Sequence, residues 1–191
     1  MTLVDYMKRI VEELGGHRDL ADRAMAKQEV VAALCRAGFL AGLWAVPEFE
    51  IDGGQGDRRK LDVVWAMRSP RGSGVLWRPI AAFEVEGHNV ALSSIEKNAD
   101  SLLAAANAGA SIRAMVLFQV GPGGQPWYPS RERTSVARSE AHLRQCLGAV
   151  PHRVEVLLDE RLQERLGEWM QVAASQQAAA AAGAKPPPLS G

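Results

Sequence analysis

Three carboxylates sit in segments where a chain normally avoids charge. Asp62 lies in RRKLDVVWAM, and Glu84 and Glu86 lie in PIAAFEVEGHN, both runs otherwise rich in strand-forming hydrophobics. A carboxylate in a buried strand is costly unless it is paired, hydrogen-bonded or bound to a metal. Side chains alternate along a strand, so Ala81, Phe83 and Val85 point one way while Ala82, Glu84 and Glu86 point the other. Alternation alone also fits a strand with its polar face in water. With Asp62 on a neighbouring strand opening to the same place, the three acids form an all-oxygen site, the ligand chemistry of Mg²⁺ or Mn²⁺.

The elements that must position these acids follow from periodicity. Leu3, Tyr6, Met7, Ile10, Val11 and Leu14 make a helical stripe stopped by Gly15 and Gly16, and residues 19–37 carry a second stripe, with Glu29 within it, stopped by Gly38. Strands are expected over Leu43–Ile51, Lys60–Met67 and Pro79–Glu86, joined by glycine-rich turns in hairpin fashion. A helix over 91–108 ends at Gly109 and crosses over to a buried strand at Ile112–Val120. A helix over 136–148, a strand at Arg153–Leu158 and an amphipathic helix over 160–177 complete the order αα-βββ-α-β-α-β-α. Residues 1–178 are then one α/β domain, and the Ala/Pro-rich residues 179–191 a disordered tail. The stripe of the last helix fits packing on this chain or on a second copy, as a homodimer.

An Asp on one strand, an acid-x-residue signature on a following hydrophobic strand, then a helix and another strand: over residues 20–120 this resembles the PD-(D/E)xK superfamily of restriction enzymes, repair nucleases and junction resolvases. The resemblance implies a restriction-endonuclease-like mixed sheet core flanked by helices. It implies metal held by Asp62, Glu84 and the carbonyl of Val85, with Glu29 on the preceding helix adding an acid. The third motif position, usually Lys, is Glu86 here. Either Glu86 takes over, as in ExE variants, or the lysine has moved to the next helix as Lys97. The implied reaction is divalent-metal-dependent hydrolysis of DNA, with Glu86 or Lys97 positioning the attacking water. Arg58, Arg59 and Lys60, with Arg68, Arg71 and Arg78 beyond, are candidate phosphate contacts. The alternative is a non-catalytic nucleic-acid-binding or assembly module with a degenerate site, which the change at Glu86 favours.

Blander readings stand beside these. A helix lysine such as Lys97 normally points to solvent, a lone Glu29 is usually a solvated side chain, and an arginine run is as often surface as contact. His88 is the histidine best placed to assist the acids. Trp65, Trp77 and Trp127 fit core or rim better than base stacking. Gly121-Pro122-Gly123-Gly124 lacks the Lys-Ser/Thr ending of a phosphate loop and reads as a turn. Cys35 and Cys146 read as small core hydrophobes.

Basic and acidic residues balance at 22 each, so attraction to nucleic acid must come from local clusters. Charges interrupt the N-terminal region where a signal peptide needs an apolar core, and no segment has the ~20 apolar residues of a membrane span. The expectation is a cytoplasmic protein without a membrane partner.

Overall fold

A computed structural model of the protein describes residues 18–54, 56–69, 77–87, 91–118, 129–148, 154–158 and 161–181. The expected helix over 2–14, the turn at 121–124, Arg71, His88, Trp127 and the tail past residue 181 lie outside them. The elements in chain order are α1 (Arg18–Leu40), β1 (Trp44–Gly54), β2 (Asp57–Arg68), β3 (Trp77–Gly87), α2 (Leu92–Asn107), β4 (Ile112–Phe118), α3 (Pro129–Leu147), β5 (Glu155–Leu158) and α4 (Leu162–Ala181). The fold is α/β. The five strands form one mixed sheet in the order β1-β2-β3-β4-β5, antiparallel up to β3 and parallel from there on.

Alternation along the strands builds two cores. Val63, Trp65, Ala81, Phe83, Val85, Ala114 and Val116 meet α1 and α4 through Val31, Leu34, Leu166 and Trp169. On the other face Val64, Ala66 and Ala82 meet Leu102 and Ala105 of α2, and Met115 and Leu117 meet Leu143 and Leu147 of α3. Trp65 belongs to the first core, its indole N–H donated to the Leu34 carbonyl at 2.9 Å.

Gly38 does not end α1 as its type suggests. It lies inside the helix because Trp65 and β1 approach it: a Cβ there would fall 2.7 Å from the Trp65 ring and 2.8 Å from the Ala45 Cβ. The helix ends at Gly42, whose φ of 76° suits glycine. The Gly42 N–H reaches the Phe39 carbonyl and the Leu43 N–H the Gly38 carbonyl, the paired bonds that satisfy a helix's last carbonyls. Three other expectations shift. α3 begins at Pro129 rather than at 136, and α4 runs to Ala181, three residues into the expected tail. Cys146 is exposed, while Cys35 packs at the edge of the first core.

Candidate functional site

β2 and β3 separate at Asp62 and Glu84. Their ladder runs from Arg68 and Trp77 to Val63 and Phe83. Beyond it, residues 57–61 stay with β1 and residues 84–87 stay with β4, so the sheet forks. One further step of the Val63–Phe83 register sets Asp62 opposite Glu84, with both side chains on one face.

Asp62 bridges the mouth of the fork. Its Oδ2 accepts the Val85 N–H at 2.7 Å, replacing a ladder bond, and its Oδ1 lies 2.8 Å from the Lys27 Nζ of α1. Because the N–H and C=O of one strand residue point to the same edge, the Val85 carbonyl also opens into the fork. Burial of the Lys27 ammonium works against its charge, but the hydrogen bond and charge of Asp62, helped by Glu86 and Glu84, raise its pKa.

Glu84 is only 5% exposed. Burial, then the charge and hydrogen bonding of Asp62, push its carboxyl up to about 9, against a Ser101 hydrogen bond and the Lys27 charge. The shift favours the protonated carboxyl. Its Oε1 is buried with no hydrogen-bond partner, a state that is expensive to maintain and that a cation or a donor would relieve. Glu86, on the same face, is half-buried and receives a long 3.4 Å contact from the Asn98 amide of α2.

The other expected residues lie differently. Lys97 is exposed on α2, whose buried face carries Ile95, Asn98, Ala99 and Leu102. Glu29 is exposed, and two residues along a helix is a turn of about 200°, which aims it away from the side on which Lys27 meets Asp62. The lysine at the acids is therefore Lys27. A signal for it exists in the sequence: with Val30, Val31 and Leu34 it forms the i, i+3, i+4, i+7 stripe that faces the core. Asn98 sits in the equivalent stripe of α2.

The basic group before Asp62 is engaged by acids. Arg58 pairs with Glu50 at 3.0 Å, Arg59 with Asp57 at 2.7 Å and with Asp100 at 3.4 Å, and Lys60 with Glu48. Among the described residues no three His, Cys, Asp or Glu side chains are drawn together closely enough to enclose an ion. What converges on the fork is a smaller oxygen set, Asp62, Glu84 and the Val85 carbonyl, with an ammonium beside it. Such a set suits Mg²⁺, which keeps several waters and takes one or two carboxylates from the protein.

Among the described residues no helix is long and apolar enough to cross a membrane. Comparison with family models, with curated proteins and with solved structures gives no match to this chain.

Proposed function

We propose that the fork is the centre of a divalent-metal-dependent endonuclease that hydrolyses phosphodiester bonds in DNA, on a restriction-endonuclease-like core of the PD-(D/E)xK type. One observation carries the reading: Glu84 is buried opposite Asp62 with an unpartnered oxygen, at the point where two strands part. The hydrogen bonds to Ser101 and Asp62 leave Glu84 Oε1 without a partner, and a cation between the two acids would supply one. The order of antiparallel strands, helix and parallel strand supports it, as does an ammonium at the acids where the third motif position is Glu86.

In this reading Asp62, Glu84 and the Val85 carbonyl hold Mg²⁺ or Mn²⁺. A cation held there would supply Lewis acidity toward a phosphate oxygen and toward an attacking water. Lys27 leaves Asp62 Oδ1 to orient that water and to offset charge developing on the phosphate. Glu86, anchored by Asn98, stands on the same face as a second acceptor. Arg58 and Lys60 are available to DNA because exposed ion pairs are weak and exchange readily for phosphate.

Lys27 also carries a second reading. An aspartate satisfied by an amide and an ammonium needs no cation, as in a non-catalytic nucleic-acid-binding or assembly module. Incubating supercoiled plasmid with the protein in Mn²⁺ or Mg²⁺, against chelator, separates the two. Cation-dependent nicking that disappears in Asp62→Ala and Glu84→Ala supports the nuclease. No cutting at any cation concentration, with the variants binding DNA like wild type, supports the module.

A further inference from the structure

Far from the fork, the other end of β2 carries a surface that packing does not account for. Trp44 is 59% exposed, and its ring meets that of Trp77 with centroids 5.0 Å apart and planes at 57°. Trp44 pairs with Ala66 and Trp77 with Arg68, so the two indoles and the Arg68 side chain share one sheet face. Trp77 is anchored from beneath against the second core, which leaves the Trp44 ring presented to solvent.

Charge distinguishes this place from the basic run beside the fork. Arg58, Arg59 and Lys60 each face an acid, whereas exposed Arg68 has no acidic partner among the described residues. The following residues 69–78, SPRGSGVLWR, contain no acid at all to supply one. An anchored aromatic pair beside a guanidinium that meets no acid among the described residues is complementary to a ligand that is both planar and anionic. Bases offer π-faces only when unpaired, and every base offers one.

We infer that Trp44, Trp77 and Arg68 form a binding surface for single-stranded nucleic acid, Trp44 stacking on a base and Arg68 meeting the adjoining phosphate. Arg68 lies six positions along β2 from Asp62, about 20 Å along the strand. The surface is therefore distinct from the fork and works without a cation, whether or not the fork cuts.

The test is fluorescence anisotropy of a dye-labelled 12-nucleotide oligothymidylate, and of a 12-base-pair duplex, at low salt in chelator, with the full chain. The expected result is tighter binding of the single strand than of the duplex, weakening as salt rises. Trp44→Ala lowers that affinity roughly tenfold or more, Trp44→Phe retains most of it, and Arg68→Ala weakens binding and reduces its salt dependence. Both positions are exposed, so the variants keep the fold, checked by their unfolding midpoints. The inference is overturned if the single strand is not bound, if the duplex is preferred, or if Trp44→Ala and Arg68→Ala bind as wild type. It is equally overturned if sedimentation shows wild-type dimers that Trp44→Ala dissociates, since the surface then serves a second copy of the chain.

Discussion

Lys27 Nζ stands 2.8 Å from Asp62 Oδ1, and this contact ties α1 to the mouth of the fork. The pair is asymmetric in burial, with the lysine side chain 34% and the aspartate 13% exposed. Removing the lysine leaves a largely buried carboxylate with the Val85 amide and the Glu84 carboxyl but no cation beside it, whereas removing the carboxylate lets the lysine turn to water.

Lys27→Ala should therefore lose both cleavage and some stability. Single-turnover cleavage is expected to fall ~100-fold or more, in the range typical of a group that positions a proton or water. Stability should fall by ~1–2 kcal/mol in urea unfolding, reflecting a charged hydrogen bond that is partly screened. Lys97→Ala, on the exposed side of α2, should match wild type in both, and Glu86→Gln should lower the rate by less than Lys27→Ala. A reversal of the two lysines would move the chemistry to α2.

Cation binding can be read without any substrate. At about 100 times its Kd, Mn²⁺ should stabilise the native protein by about 2.7 kcal/mol, visible as a thermal shift. Asp62→Asn keeps an acceptor for the Val85 amide but removes the charge, so most of that shift should vanish. In chelator this variant should be ~1 kcal/mol less stable than wild type through loss of the Lys27 pair. Identical responses to Mn²⁺ in the two proteins would take Asp62 out of the metal site.

Glu84 sets a pH dependence with a definite sign. Its carboxyl, raised to about 9 in the fold, binds a proton that the unfolded chain has released above about 4.5. The stabilising contribution is thus complete below about 4.5 and is lost as pH rises through about 9. In chelator, wild type should lose up to ~1.4 kcal/mol per pH unit between these limits, and Glu84→Gln should flatten the profile. Mn²⁺ must displace that proton, so its affinity should rise with pH over the same interval, with proton release seen in calorimetry across buffers of different ionisation enthalpy. Equal Mn²⁺ affinity at pH 6 and 8.5 would show that Glu84 is not a ligand.

Gly38→Ala tests the packing that positions α1, and with it Lys27. Alanine is the better helix former by about 1 kcal/mol. The added methyl, however, meets the Trp65 ring and Ala45 at under 3 Å, both in the core. A net loss of ~1–3 kcal/mol is expected in chemical unfolding, with a weaker Mn²⁺ response than wild type at equal cation. A stabilised variant would show that α1 can move off β1 freely.

The α/β order was legible because the helices show apolar stripes and β4 shows a largely apolar run after a helix, and the two acids on β3 had to share a face once the strand was placed. Lys27 was harder to read. A lysine inside an apolar stripe looks like a break in the pattern until the partner it reaches across the sheet is known, and Asp62 is 35 residues away. Glu29 and Lys97 were attractive for their types, but helical phase turns both to solvent. Gly38 misled for a related reason. Its type fits both a helix stop and a tight packing contact, and only the position of Trp65 decides between them.

The strand order follows the chain order without exception. Among the described strands none has to be inserted between two that are already paired, so each can add to the edge left by the one before it. Lys27, Asp62, Glu84 and Ser101 all belong to the first 101 residues, so the groups that meet at the fork are all made before β4. β4 then pairs with the edge of β3 that faces away from β2, so the strand carrying Glu84 and Glu86 is held from behind while its near edge stays open at the mouth.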